Sequence, residues 1–285
     1  MKRFLKWTAI GLGSLIGVAL IVIYGLSEYQ LRRRYDIAAA PITIPTDSAT
    51  LARGRHVALT RGCGGCHGDN YEGKVLFDEA MLARIVPPNL TKIVQQYTDA
   101  ELARAIRHGV RQNGTSVAVM PSSMLYHLSD ADLAALIAYL RSIPAAESNL
   151  PEPSMRLLAR VGLVMGQYHT EASTIDHDAP RVPEAVDGDL ESRGLYLAKT
   201  SCSECHGLEF EGGNRGPAPT PALSVVQAYS AEEFSRLMRD GVPRDGRKLS
   251  LMGDVARGRF AKFTDAEVAA MYAYLHGPNT ATAAR

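Results

Sequence analysis

The chain has 285 residues, room for two domains of roughly 100 to 150 residues and too many for one ordinary domain. Lys plus Arg number 31 against 30 for Asp plus Glu, and the net charge of +1 excludes the one-sign field on which nucleic-acid binding depends. A composition 46% hydrophobic and 21% charged excludes disorder, yet aromatics are only 7%, few large side chains to fill each core.

The first predicted element is apolar. From Trp7 to Ser27 no residue is charged, and residues 7–26 have the length of about twenty that a helix needs to cross a bilayer. Lys2, Arg3 and Lys6 precede it, so a cleaved signal peptide is the rival. The run is longer than a signal core, however, and the nearest small-residue stretch, Ala38 to Ala40, lies well downstream. We read residues 1–27 as an uncleaved membrane anchor. Lys2, Arg3 and Lys6 favour an inside N-terminus, whereas Arg32, Arg33 and Arg34 oppose it. Gly13 and Gly17 form a GxxxG pair, which in a glycine-containing span is more often incidental than a dimer contact. Residues 28–47, Arg-rich and then rich in Ala, Pro and Thr, read as a tether.

Beyond the tether the same module occurs twice, over 48–145 and 187–285. Residues 53–60 (RGRHVALT) recur as 193–200 (RGLYLAKT), and each copy leads directly into a cysteine motif. Cys63-Gly-Gly-Cys66-His67-Gly68, followed by Tyr71-Glu72-Gly73, matches Cys202-Ser-Glu-Cys205-His206-Gly207, followed by Phe210-Glu211-Gly212. Residues 98–110 then answer 230–242, and 128–140 answer 263–275.

These later blocks are predicted helices. Thr98 with Glu101, Ser230 with Glu233 and Thr264 with Glu267 are capping-box pairs, and Ser129 with Asp132 is a shorter version. Gly109 and Gly241 stand where a helix end takes a left-handed residue. Leu133, Leu136, Ile137 and Leu140 mark one buried helix face, and Val268, Met271, Tyr272 and Leu275 repeat that spacing. No alternating strand of useful length is visible, so an all-α fold with long loops is expected. Residues 146–186, with Pro151, Pro153, Pro180 and Pro183, read as a linker with one short helix near 156–165.

A Cys-x-x-Cys-His string is the attachment site of a c-type haem. Two thiols three residues apart reach two vinyl groups on one porphyrin edge, and the adjacent His falls beneath the iron. A zinc site needs a second cysteine pair that neither module has. A thioredoxin-like pair needs a βαβ context that the helical pattern denies, and a plain disulfide leaves His67 and His206 unexplained. All four cysteines are used, so two covalently attached haem c groups are expected. A large apolar macrocycle also supplies core that the few aromatics do not.

With these motifs the sequence resembles the class I c-type cytochromes, and specifically the membrane-anchored di-haem proteins of bacteria, over about residues 48–278. The resemblance implies two tandem class I cytochrome c domains. In each, an N-terminal helix carrying a Gly crosses a C-terminal helix carrying an aromatic, here Gly54 with Tyr139 and Gly194 with Tyr274. It implies a loop proline whose carbonyl holds the proximal imidazole; Pro88 and Pro221 stand at that place, with Pro87, Pro217 and Pro219 as competitors. The sixth iron ligand in the family is a Met before the last helix. Met120, followed by Pro121, fits the first module, with Met124 as its rival, and Met252 fits the second more loosely. The metal ligands implied are therefore His67 with Met120 and His206 with Met252. His108 reads as a charge complement to its helix end, and His56, His127, His169, His177 and His276 as surface or packing residues.

The family attaches haem outside the cytoplasmic membrane, which implies an inside N-terminus and both modules in the periplasm. Thioether plus imidazole saturates the iron, so the resemblance implies a non-catalytic relay of single electrons, between a dehydrogenase or quinol-oxidising complex and a terminal acceptor. Residues 88–122 look like the cytochrome subunits of alcohol- or aldehyde-oxidising enzymes, which implies redox-protein partners. The alternative is a di-haem peroxidase with one open iron, should Met252 not ligate.

Overall fold

The computed structural model describes residues 1–184, 188–213 and 219–277. Its first helix, α1 (Lys2–Arg32), is long and apolar enough to cross a membrane, with mean hydropathy 2.3 over its most apolar stretch. Trp7 and Ile21 on it are 70% and 74% exposed, apolar surface that is costly to leave in water. The helix continues through the first part of the expected tether. The rest of 28–47 is no free spacer: the Tyr35 amide donates to the Gly114 carbonyl at 2.9 Å, Arg104 donates to the Ile37 carbonyl at 3.2 Å, and Ile42 and Ile44 pack on the first core. Its own apolar residues and backbone polar groups find partners there.

The first module comprises α2 (Ser48–Thr60), α3 (Cys63–His67), β1 (Phe77–Glu79), β2 (Ala83–Ile85), α4 (Leu90–Gln96), α5 (Asp99–His108), α6 (Ser122–Leu125) and α7 (Asp130–Ser142). The second comprises α9 (Leu190–Lys199), α10 (Ser203–His206), α11 (Ala231–Asp240), α12 (Leu251–Gly258) and α13 (Asp265–His276), with 3₁₀ turns at Leu223–Ala228 and Phe260–Lys262. Between them lie β3 (Ser154–Met155) and α8 (Leu157–Val164). Full capping boxes start α5, α11 and α13, whereas α7 starts on Ser129 alone, whose hydroxyl accepts the Asp132 amide. Gly109 (φ 63°) and Gly241 (φ 72°) close α5 and α11 in the left-handed region.

In each module the first helix crosses the last at a glycine. A Cβ on Gly54 would stand 1.9 Å from the Ala135 carbonyl oxygen, and one on Gly194 2.1 Å from that of Ala270. The stripe Leu133, Leu136, Ile137 and Leu140 is at most 5% exposed, and Val268, Met271 and Leu275 at most 4%. Two mostly helical cores result, as the repeat requires.

The all-α expectation holds, with one small addition. The chain forms a small antiparallel sheet in the order β1, β2, β3, pairing Phe77 with Ile85 and Ala83 with Met155. Strands of two or three residues are too short for alternation to register, and β3 comes from the linker. The linker helix α8 lies against α1, where Arg160 donates to Ser27 Oγ at 2.8 Å and pairs with Glu28 at 3.0 Å.

The modules meet through reciprocal contacts. Tyr196 of α9 donates to Asp132 at the start of α7 at 2.5 Å, and the equivalent His56 of α2 meets Glu267 at the start of α13 at 2.9 Å. His56 is therefore part of an inter-module contact, which its absence from the repeated motif concealed. Burial pushes the Glu267 carboxyl up, but hydrogen bonds from His56 and the Thr264 amide outweigh it and hold the group at about 2, below its usual 4.5. A carboxyl depressed on folding stabilises the protein above its unfolded value, and that share is lost as pH falls towards the folded one. Urea midpoints followed against pH should therefore drop between about 4.5 and 2, with a smaller drop in Glu267→Gln; equal drops in both proteins would show that this pair contributes nothing.

Candidate functional site

Each cysteine motif is a single helical turn set between glycines or small residues. Gly62 (φ 76°) precedes α3 and Gly68 (φ 87°) ends it; Gly207 (φ 86°) ends α10. Cys63 and Cys66 sit three apart on the first turn, Cys202 and Cys205 on the second, so each pair shares one side of its turn. None of the four is tied up in a disulfide. Burial pushes Cys63 and Cys202 up to about 11 against the opposing charge of Arg259, and these thiols stay protonated in the protein alone.

The histidine that ends each motif is held through its far nitrogen. His67 Nδ1 donates to the Pro88 carbonyl at 2.9 Å, and His206 Nδ1 donates to the Pro221 carbonyl at 2.8 Å. A carbonyl only accepts, so the proton resides on Nδ1 and the lone pair on Nε2. Burial, partly opposed by the proline carbonyl, lowers both imidazoles below their usual 6.5 and keeps them neutral, the form that binds a metal. Pro221 and Pro88 thus occupy the holding position; Pro87 and Pro219 make no such bond, and Pro217 lies outside the described residues.

Loop geometry repeats with the same fidelity. The Gly73 amide donates to the His67 carbonyl, and the Gly212 amide to that of His206. Tyr71 and Phe210 both adopt φ 61°, a conformation aromatic residues rarely enter, and their rings meet Tyr139 and Tyr274 edge-on at 6.0 and 6.1 Å. The aromatic-Glu-Gly string at one offset from both motifs marks these two residues in the sequence, but not their left-handed conformation.

The methionines differ in setting. Met120 lies before α6, partly buried against the first core. Met124 is fully buried, and its sulfur accepts from Arg259 Nη2 of the second module at 3.7 Å. Met252 lies on α12, partly buried against the second core. His108 is not a charged helix complement: burial, then His177 and Arg107, push it down to about 4, and its ring faces His177 at 3.0 Å. His127, likewise near 4 through burial, accepts the Val182 amide. Among the described residues no group of three or more His, Cys, Asp and Glu gathers to hold a metal.

A free thiol pair on one turn, a neutral imidazole offering Nε2 and an apolar core alongside fit the attachment edge and axial base of a haem, once per module. The cytochrome c family pattern matches residues 51–144 and 192–277. The fructose dehydrogenase cytochrome subunit of Gluconobacter japonicus is 23% identical over 279 residues, covering 84% of this chain and 55% of that protein. The cytochrome c subunit of alcohol dehydrogenase (quinone) from Gluconacetobacter polyoxogenes is 26% identical over 292 residues, covering 90% and 61%, and that of Gluconobacter oxydans is 28% identical over 213 residues, covering 70% and 41%. This chain spans about half the length of the curated relatives it matches. Since the pattern recurs over the same helices that build both paired sites, the chain belongs to the cytochrome c family, which binds haem c covalently.

Proposed function

We propose that the protein is a membrane-anchored di-haem cytochrome that relays single electrons from a dehydrogenase to a further acceptor. The observation that carries this is the duplicated unit: a Cys pair, a His and a proline carbonyl on that His, at 2.9 Å in one module and 2.8 Å in the other. Haem bound at such a unit supplies a reversible one-electron couple. Cys63 and Cys66, and Cys202 and Cys205, would hold it by thioethers; His67 and His206 would ligate its iron; Pro88 and Pro221 fix ring orientation and strengthen each imidazole as a ligand. The domains are read as 48–145 and 187–285. The relatives' printed names support a place as the cytochrome subunit of a dehydrogenase complex. The apolar α1 and the cations Lys2, Arg3 and Lys6 support an inside N-terminus with both modules on the periplasmic face.

Met120 and Met252 are the proposed sixth ligands. The contact between Met124 sulfur and Arg259 supports this choice in the first module, because it commits Met124 to the inter-module seam. Met120→Leu should leave the first module's ferric iron high-spin and Met252→Leu the second's, read by electron paramagnetic resonance. A change in Met124→Leu and none in Met120→Leu would transfer the role to Met124. If instead the unaltered protein shows a high-spin second site that turns over peroxide, the peroxidase alternative prevails. The relay itself is tested on protein purified from native membranes: intact mass should report two covalent haems, and a co-purifying dehydrogenase should reduce both on adding its substrate. Absence of covalent haem, or haems that no donor reduces, would overturn it.

A further inference from the structure

Two guanidinium groups, one buried and one largely so, stand in the seam between the modules. Arg61, 5% exposed, follows α2; its Nη2 donates to Thr200 Oγ1 at 2.8 Å, and its guanidinium lies 5.9 Å and 5.7 Å from the ring centres of Tyr196 and Phe263. Arg259, between α12 and the turn at Phe260–Lys262, belongs to the second module but reaches the first. Its Nε donates to the Thr60 carbonyl at 2.8 Å, its Nη2 to the Ser201 carbonyl at 3.2 Å, and its Nη1 pairs with Glu204 at 3.0 Å. The Arg259 side chain is 13% exposed and that of Glu204 38%.

The positions touched are specific. Ser201 immediately precedes Cys202, and a Cβ on Gly62, immediately before Cys63, would stand 3.0 Å from Arg259 Cδ. One side chain thus abuts the residue leading into the first cysteine of both motifs. Arginine stays protonated at any working pH, so this is a fixed charge. Being largely withdrawn from water, it acts over a path that solvent screens weakly. A site that gains one electron becomes one unit more negative, and a nearby fixed cation favours that reduced state. Glu204, inside the second motif and paired to the same guanidinium, works in the opposite direction.

The geometry points to Arg259, partly balanced by Glu204, as an electrostatic element common to both haem sites that sets the reduction potentials of the two together. This rests on the two-haem reading above. The test is an equilibrium redox titration of the full-length, detergent-purified holoprotein, followed optically as two one-electron waves. Arg259→Gln should shift both waves to lower potential, and Arg259→Lys should restore both towards the unaltered values. Arg244→Gln, which removes an exposed cation of the second module, should move neither. Glu204→Gln, a more exposed change that remains measurable should Arg259→Gln not fold, should shift both waves upward. Waves unmoved by either change, or only one wave moved, would overturn the inference. Intact mass taken beforehand separates the two claims: fewer than two covalent haems defeats the two-haem reading, whereas two haems with unmoved potentials defeat this inference alone.

Discussion

Replacing Cys63 and Cys66 together by alanine is expected to yield a protein with one covalent haem, on the second module, and a first module that loses much of its helical order. The reason lies in what fills the first core. Its buried members are Val, Ala, Leu, Ile and Met with Tyr71 as the one large aromatic beyond them, around helices of 13 residues or fewer. Helices that short depend on packing for stability. If a macrocycle withdraws on the order of 400 Å² of apolar surface in the site, its loss removes about 10 kcal/mol, comparable with the whole stability of a small domain. Intact mass should fall by one haem, and circular dichroism should lose helical signal while the second module's absorbance persists. Unchanged helicity with one haem gone would show that the first core is sufficient by itself.

Gly54→Ala and Gly194→Ala should each destabilise by about 3 kcal/mol or more, by disrupting the crossing on which its module is built. An alanine in a helix interior normally gains roughly 0.5–1 kcal/mol over glycine. Here the added Cβ would lie 1.9 or 2.1 Å from a backbone carbonyl oxygen of the facing helix, and backbone cannot swing aside as a flexible side chain does. The steric cost exceeds the propensity gain, so the helices must separate. Gly258→Ala, at the end of α12 with nothing within 4 Å of the new methyl, is the matched control and should be neutral or slightly stabilising. Thermal or urea unfolding of the three variants decides this; equal midpoints would mean that the crossings are looser than they stand.

Local chemistry explains why much of the architecture was readable in advance. Thr98, Ser230 and Thr264 signal helix starts because a capping box closes within four residues, and Gly109 and Gly241 signal ends because the left-handed conformation that closes a helix favours glycine. The stripes on α7 and α13 were legible because burial of one helix face imposes a fixed spacing. The three short strands were not legible, since β2 depends on β3 from a distant part of the chain. Nor was the fate of His108, whose neutral state follows from burial and from His177 beside it.

From residues alone came the repeated modules, the paired Cys-x-x-Cys-His turns and the apolar first helix, because each is written in neighbours a few positions apart. Tertiary structure decided that the bonds to the imidazoles come from Pro88 and Pro221 rather than from Pro87 and Pro219, that Tyr71 and Phe210 sit left-handed beneath the last helices, and that Arg259 reaches both motifs. Those facts depend on distances between segments far apart in the chain, and such distances are set by how whole helices pack.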